Sequence, residues 1–473
     1  MRYAVKGLGV MGYLVAIGLT AWPARAAADG PELAELTGRN APWAKGERVV
    51  FFGDSITAAG NEPGGFVRTI DEALKKDRPD LALEIINAGV GGHRASDLFA
   101  RLQGDVLDRK PNVVFILVGV NDVGVDVTAK DYESSLRAIV SQLQKAGATV
   151  VLGTPILRGE KTDNTNPKDG PMNEFTGVCQ RICEDTGAKF CNLRAAAQAY
   201  LKDHNKENAE KGILTSDGVH LTADGNRLVA EKAAQAIAEA LRLRAMQQWI
   251  GPGHGLATWD GADVPFKQND KIIFFGDSIT SGATSPNGYI TVLGRELRAH
   301  HPELPVQLVN KGNSGNKVPN LQSRLHSDVL SQKPNVLFIY IGINDVWHET
   351  AWDGSGTPTY AFQAGLRHII EKARARGATV VLATPSVIGE KTDGTNELDK
   401  QLDEYAKIGR DLAQEMGVTV CDLRQAFMDY LKQANPENNE RGILTVDRVH
   451  LNDLGNLLVA HKAAEAIQKA VKK

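Results

Sequence analysis

Short apolar runs alternate along this chain with segments in which apolar positions recur every three or four residues. Val113-Val114-Phe115-Ile116-Leu117-Val118 has no polar alternation, so both faces of such a strand should be buried. The same reading predicts strands at Arg48–Phe52, Leu83–Asn87, Thr149–Leu152 and Lys189–Cys191. A second set follows at Lys271–Phe275, Val306–Asn310, Val336–Ile341, Thr379–Leu382 and Thr419–Cys421. Amphipathic segments such as Tyr132–Lys145 and Ala223–Met246 supply helical cover. Strands buried on both faces and separated by helices predict an α/β fold, a three-layer α/β/α sandwich around a parallel sheet. The pattern stops at Gly251-Pro252-Gly253, a strong breaker cluster, and then starts again.

The second half repeats the first. Phe51-Phe52-Gly53-Asp54-Ser55-Ile56-Thr57 returns as Phe274-Phe275-Gly276-Asp277-Ser278-Ile279-Thr280, a shift of 223. Gly92 becomes Gly315, and Gly119-Val120-Asn121-Asp122 becomes Gly342-Ile343-Asn344-Asp345, at the same shift. Asp217-Gly218-Val219-His220 becomes Asp447-Arg448-Val449-His450 at a shift of 230, because Trp347–Thr359 is longer than its counterpart. So long a period means two copies of a whole domain, not solenoid units of roughly 20–50 residues. The expected domains are 47–248 and 269–473, joined by a linker 249–268 whose Trp249 and Trp259 could pack the two together. A length of 473 residues is consistent with two units.

Residues 1–26 form a separate signal. Arg2 and Lys6 precede an apolar stretch from Gly7 to Trp22, closed by Pro23-Ala24-Arg25-Ala26. That is the layout of a secretory signal peptide, and sixteen apolar residues are short for a membrane span of about 20. Cleavage after Ala26 takes the formal net charge from −3 to −6. A secreted or periplasmic protein is expected, without stable membrane anchoring. The acidic balance gives no support for a nucleic-acid partner. Oligomeric state is not legible.

Four cysteines are too few for a disulfide scaffold. Cys191 and Cys421 read as small core residues at strand ends, and a bridge among Cys179, Cys183 and Cys191 is left open. No Cys/His cluster has zinc-like spacing, and no metal or other cofactor is expected.

Four segments that end strands or follow them converge on the carboxyl edge of each sheet, where open α/β sheets bind ligands. A serine after a strand is more often a helix cap, and a lone Asp-x-x-His more often fixes a surface loop. Both occurring together, twice and in order, favours chemistry. His220 could take the proton of Ser55, and His450 that of Ser278, with Asp217 and Asp447 orienting each imidazole. The backbone N–H groups of Ser55 and Gly92 and the amide of Asn121 could hold an oxyanion; Ser278, Gly315 and Asn344 match them.

As a set, Gly53-Asp54-Ser55, Gly92, Gly119-x-Asn121-Asp122 and Asp217-x-x-His220, with their second-half counterparts, resemble the SGNH hydrolase superfamily, also called GDSL-type esterases and lipases. The resemblance covers nearly the whole chain after residue 46 and implies two tandem flavodoxin-like domains, each with a five-stranded parallel sheet. It also implies cofactor-free hydrolysis of carboxylic esters by both copies. The expected substrates are small-molecule or saccharide esters, with short acyl groups favoured by export and by the lack of a long apolar lid. A lysophospholipase or thioesterase with the same triads, or one copy serving as a glycan-binding module, is the alternative. His93 opposite Asn316 and Phe66 opposite Tyr289 are read as differences between the two pockets. Gly159-Glu160-Lys161-Thr162-Asp163, repeated as Gly389–Asp393, reads as a turn fixed by the fold or a loop near substrate.

Overall fold

The computed structural model describes residues 32–259 and 264–472, apart from 39, 265, 351–353 and the side chains of 349 and 350. The signal-peptide segment lies outside them. The first sheet contains β1 (Arg48–Gly53), β2 (Glu84–Gly89), β3 (Val113–Leu117), β4 (Thr149–Gly153) and β5 (Lys189–Cys191). The second contains β6 (Lys271–Gly276), β7 (Gln307–Gly312), β8 (Val336–Tyr340), β9 (Thr379–Ala383) and β10 (Thr419–Cys421). Their orders are β2-β1-β3-β4-β5 and β7-β6-β8-β9-β10, with every pairing parallel. This is the flavodoxin-like order, whose switch point lies between the first and third strands. Helices cover both faces, as expected of strands such as β3 and β8 that are buried at every residue.

Several boundaries differ from the sequence reading, most by a single residue. β2 and β7 run on through Gly89 and Gly312. Glycine is required at Gly89, because a Cβ there would lie 2.1 Å from the Ala58 amide nitrogen, in the turn that follows Ser55. The helix Ala223–Ile250 also outlasts its expected end at Met246, so Trp249 is helical and not part of a linker.

The two tryptophans take different parts in joining the copies. Trp249 projects from the first copy's last helix and meets Tyr430 of the second edge-to-face, with centroids 5.4 Å apart. Trp259 is fully buried in the second copy's core, against Phe266. The turn Gly255–Trp259 docks on the helix Asp453–Val471, where Gly255 and Leu256 donate backbone N–H groups to Glu465 and His461. Much of the expected linker is therefore part of the second core. Cys179, Cys183, Cys191 and Cys421 are all buried free thiols, so no bridge forms among them.

Candidate active site

The strand β1 ends at Gly53, and Asp54 caps the short helix Ser55–Ala59 by accepting from the Ile56 N–H at 3.0 Å. The cap turns the chain sharply and leaves Ser55 at the first helical position, where its N–H has no intrahelical acceptor. Asp277 caps Ser278–Ser281 in the same way, with Ile279. The histidine reaches the serine from the other end of the copy. His220 Nε2 lies 3.0 Å from Ser55 Oγ, and His450 Nε2 lies 2.9 Å from Ser278 Oγ.

Each imidazole is held from behind. His220 Nδ1 and His450 Nδ1 lie 2.7 Å from Asp217 Oδ2 and Asp447 Oδ2. The other oxygen of each aspartate accepts backbone N–H groups, Val219 and His220 for Asp217, Val449 and His450 for Asp447. The hydrogen bonds from His220 hold the Asp217 carboxyl below its usual range. At Asp447 burial pushes upward, and the His450 hydrogen bonds outweigh it, so that carboxyl is also lowered. An ionised carboxylate only accepts, so each imidazole must carry its proton on Nδ1 and present Nε2 to the serine as an acceptor. The His220 side chain is 46% exposed and the His450 side chain 39%, so both sites are open to a dissolved ester.

The other site residues gather at the same edge. Gly92 and Gly315 have φ of 79° and 75°, which a glycine adopts without strain, and no protein atom would lie within 4 Å of a Cβ at either. Left-handed backbone, not crowding, selects glycine there. Asn121 donates one amide hydrogen to the His93 carbonyl at 3.0 Å, and Asn344 does the same to Asn316 at 3.1 Å. Each amide keeps a second N–H.

One element of the site escaped the sequence reading, and a second was read only as a fixed turn or a loop near substrate. Arg101 donates to the carbonyls of Gly53 and Ala88 and to His93 Nδ1, pairs with Asp105, and lies over the Phe52 ring. Arg324 repeats the pattern with Gly276, Lys311, Asn316, Asp328 and Phe275. One guanidinium thus ties the serine strand to the glycine loop. Its recurrence at a shift of 223 was the available signal. His93, with Nδ1 engaged by Arg101, braces the loop. The second element is Glu160, which is fully buried. It accepts from the Ile213 and Leu214 N–H groups at 2.9 and 2.8 Å, and from the Thr215 N–H and hydroxyl. Glu390 does the same for Ile443, Leu444 and Thr445. These carboxylates shape the strand of chain that leads into each Asp-x-x-His loop, so the repeated block is a fixed turn.

Phe66 and Tyr289 are not a difference between the pockets. Both are fully buried in the core, Phe66 against Phe51 and Tyr289 against Phe274, and the tyrosine hydroxyl donates to Thr280.

The sequence profile of the GDSL-like Lipase/Acylhydrolase family matches residues 51–228 and again 274–458. The chain belongs to that family. It is a carboxylic ester hydrolase with two tandem GDSL domains. It is 32% identical over 206 residues to the acetylxylan esterase of Geobacillus stearothermophilus, covering 40% of this chain and 90% of that one. It is also 32% identical over 219 residues to the uncharacterized lipoprotein YqeF of Bacillus subtilis (strain 168), covering 39% and 87%. Among solved structures, the acetyl xylan esterase AlAXEase is 43% identical over 42% of this chain and 99% of its own, with a TM-score of 0.41. These relatives are each about the length of one domain.

Proposed function

We propose that both GDSL domains are working serine esterases, with Ser55 and Ser278 as nucleophiles. The observation that carries this is the unbroken Ser–His–Asp hydrogen-bond chain in each copy. In the first domain, His220 Nε2 takes the Ser55 proton as Oγ attacks the ester carbonyl. The carbonyl oxygen gains a negative charge and is met by the N–H groups of Ser55 and Gly92 and the Asn121 amide. The intermediate collapses to an acyl-serine, and the imidazolium gives its proton to the departing alkoxide. Water, deprotonated by the same nitrogen, then releases the carboxylic acid and restores Ser55. Ser278, His450, Asp447, Gly315 and Asn344 act identically in the second domain. One oxyanion donor of this kind is worth about 10²–10³ in turnover.

The ester we favour is an acetyl group on a saccharide, in a protein exported by cleavage after Ala26. Similarity to acetylxylan esterases supports the substrate class, and the charged, then apolar, then small-residue N-terminus supports export. The test is acetate release from acetylated xylo-oligosaccharides, alongside p-nitrophenyl esters of increasing acyl length. Acetate release with a preference for short acyl groups is expected. Cleavage of long-chain esters with no acetate released from the saccharides would reject the substrate assignment.

A further inference from the structure

Each domain has a second cleft next to its Asp-x-x-His loop. In the first, a cleft of ≈ 390 Å³ lies between the segment Arg158–Lys168, Glu210 and Asp217. In the second, a cleft of ≈ 350 Å³ lies between Gly389–Leu398, Glu440 and Arg448. Part of the frame is common, since Lys161, Asn166 and Glu210 recur as Lys391, Asn396 and Glu440. The rest of the lining differs, and it differs in compensating pairs.

Arg158 Nη1 donates to the Val120 carbonyl at 2.7 Å, one residue before Asn121. Its guanidinium lies across Gly124, where a Cβ would come within 2.4 Å of that nitrogen. In the second domain Ile388 replaces the arginine and Trp347 replaces the glycine, so an indole lines the cleft where a guanidinium lay before. Lys168 becomes Leu398. Gly218 becomes Arg448, which holds φ at 89° and pairs with Glu440 at 3.1 Å. Left-handed backbone at a residue with a Cβ is strained and tends to persist at functional sites.

The charge follows the exchange. Arg158, Lys161, Lys168 and Lys211 face Glu210 and Asp217 in the first cleft; Lys391 and Arg448 balance Glu397 and Glu440 in the second. Lys161 is paired with Glu210 and Lys168 with Asp126, both at 2.9 Å. Arg158 and Lys211 pair with no carboxylate among the described residues. A half-buried guanidinium fixed at one N–H, with others to spare, is a ready receptor for a carboxylate.

We propose that the two domains accept different esters. The first cleft holds a sugar carboxylate close to the ester being cleaved, bound by Arg158 with Lys211. The second cleft holds a neutral pyranose ring against Trp347. This division rests on the saccharide-ester reading.

The test uses Ser278→Ala, in which only the first site can turn over, and Ser55→Ala, in which only the second can. Each is assayed on an acetylated neutral xylo-oligosaccharide and on an acetylated oligosaccharide bearing a uronic acid. The first site is expected to show a KM about tenfold lower for the acidic substrate, an advantage that shrinks with added salt. The second site is expected to favour the neutral one. Arg158→Ile, which installs the second domain's residue, should raise the first site's KM for the acidic substrate about tenfold with little change in kcat. Arg158→Lys should restore part of the loss. Equal KM ratios for the two single-site proteins would overturn the division alone. If neither saccharide yields acetate while p-nitrophenyl acetate is cleaved, the substrate assignment falls, and the division falls with it.

Discussion

Lys189 Nζ, on the edge strand β5 of the first domain, lies 2.8 Å from Asp453 Oδ2 of the second. It also lies 2.6 Å from Glu239 of its own domain, and its side chain is only 11% exposed. Asp453 Oδ2 accepts in addition from Asn287 at 2.9 Å. Asp453 opens the helix that follows His450, and Asn287 sits on the loop after the Ser278 helix. The first domain therefore braces two segments that flank the second site. The residues of this brace are not repeated in the other direction, since Thr419, Ala223 and Gly64 stand at the equivalent positions of Lys189, Asp453 and Asn287.

Lys189→Met should destabilise the protein by about 1–3 kcal/mol, because it leaves two partly exposed carboxylates facing each other without their shared cation. Denaturant unfolding followed by tryptophan fluorescence reads this out. Turnover measured in the Ser55→Ala background should fall, while turnover in the Ser278→Ala background should hold. An equal loss at both sites would mean that Lys189 serves only overall stability.

Asp217→Asn should lower the first site's kcat by about 10³–10⁴, because a neutral amide can no longer fix the imidazole tautomer. Measured in the Ser278→Ala background, a loss below tenfold would show that Asp217 does not orient His220. Asp447→Asn should behave alike at the second site.

Asp54 and Asp122, with their counterparts Asp277 and Asp345, are buried carboxyls just behind the serines. Burial pushes Asp54 and Asp277 up to about 7, and Asp122 and Asp345 up to about 6. Above about pH 4 the unfolded chain has lost these protons, while the folded chain keeps them up to about pH 6 at Asp122 and Asp345 and up to about pH 7 at Asp54 and Asp277. Stability from these groups is therefore greatest in acid and is lost as pH rises toward 7. Asp54→Asn, uncharged at every pH, should flatten the decline of Tm across that window. An unchanged Tm profile would contradict the burial argument.

Glu160→Ala strips the partners from three backbone N–H groups and a buried hydroxyl, and should cost about 2–5 kcal/mol while loosening the His220 loop. In the Ser278→Ala background the expected signature is a drop in kcat larger than any rise in KM, with Glu160→Gln intermediate. Wild-type kinetics in Glu160→Ala would remove it as a positioning residue.

The strands were legible because runs such as Val113–Leu117 are buried on both faces, and burial alone dictates an uninterrupted apolar pattern. The candidate triads were legible because four blocks recur in order, and each copy serves as a control on the other. What stayed hidden depends on contacts that leave no sequence pattern. Arg101 ties the two segments through the carbonyls of Gly53 and Ala88, which any residue can offer. Phe66 and Tyr289 were misassigned to the pocket because an aromatic next to a turn reads the same in a core as in a cleft. The Lys189–Asp453 pair joins residues 264 positions apart across two sheets whose relative placement no local pattern encodes.

The most direct measurement is labelling by an active-site serine probe, with the modified peptides identified by mass spectrometry and p-nitrophenyl acetate turnover followed in parallel. Wild type should be labelled at Ser55 and at Ser278, each single alanine variant should lose only its own label and keep turnover, and the folded double variant should lose both. Wild-type turnover in the folded double variant would contradict the two-site serine mechanism.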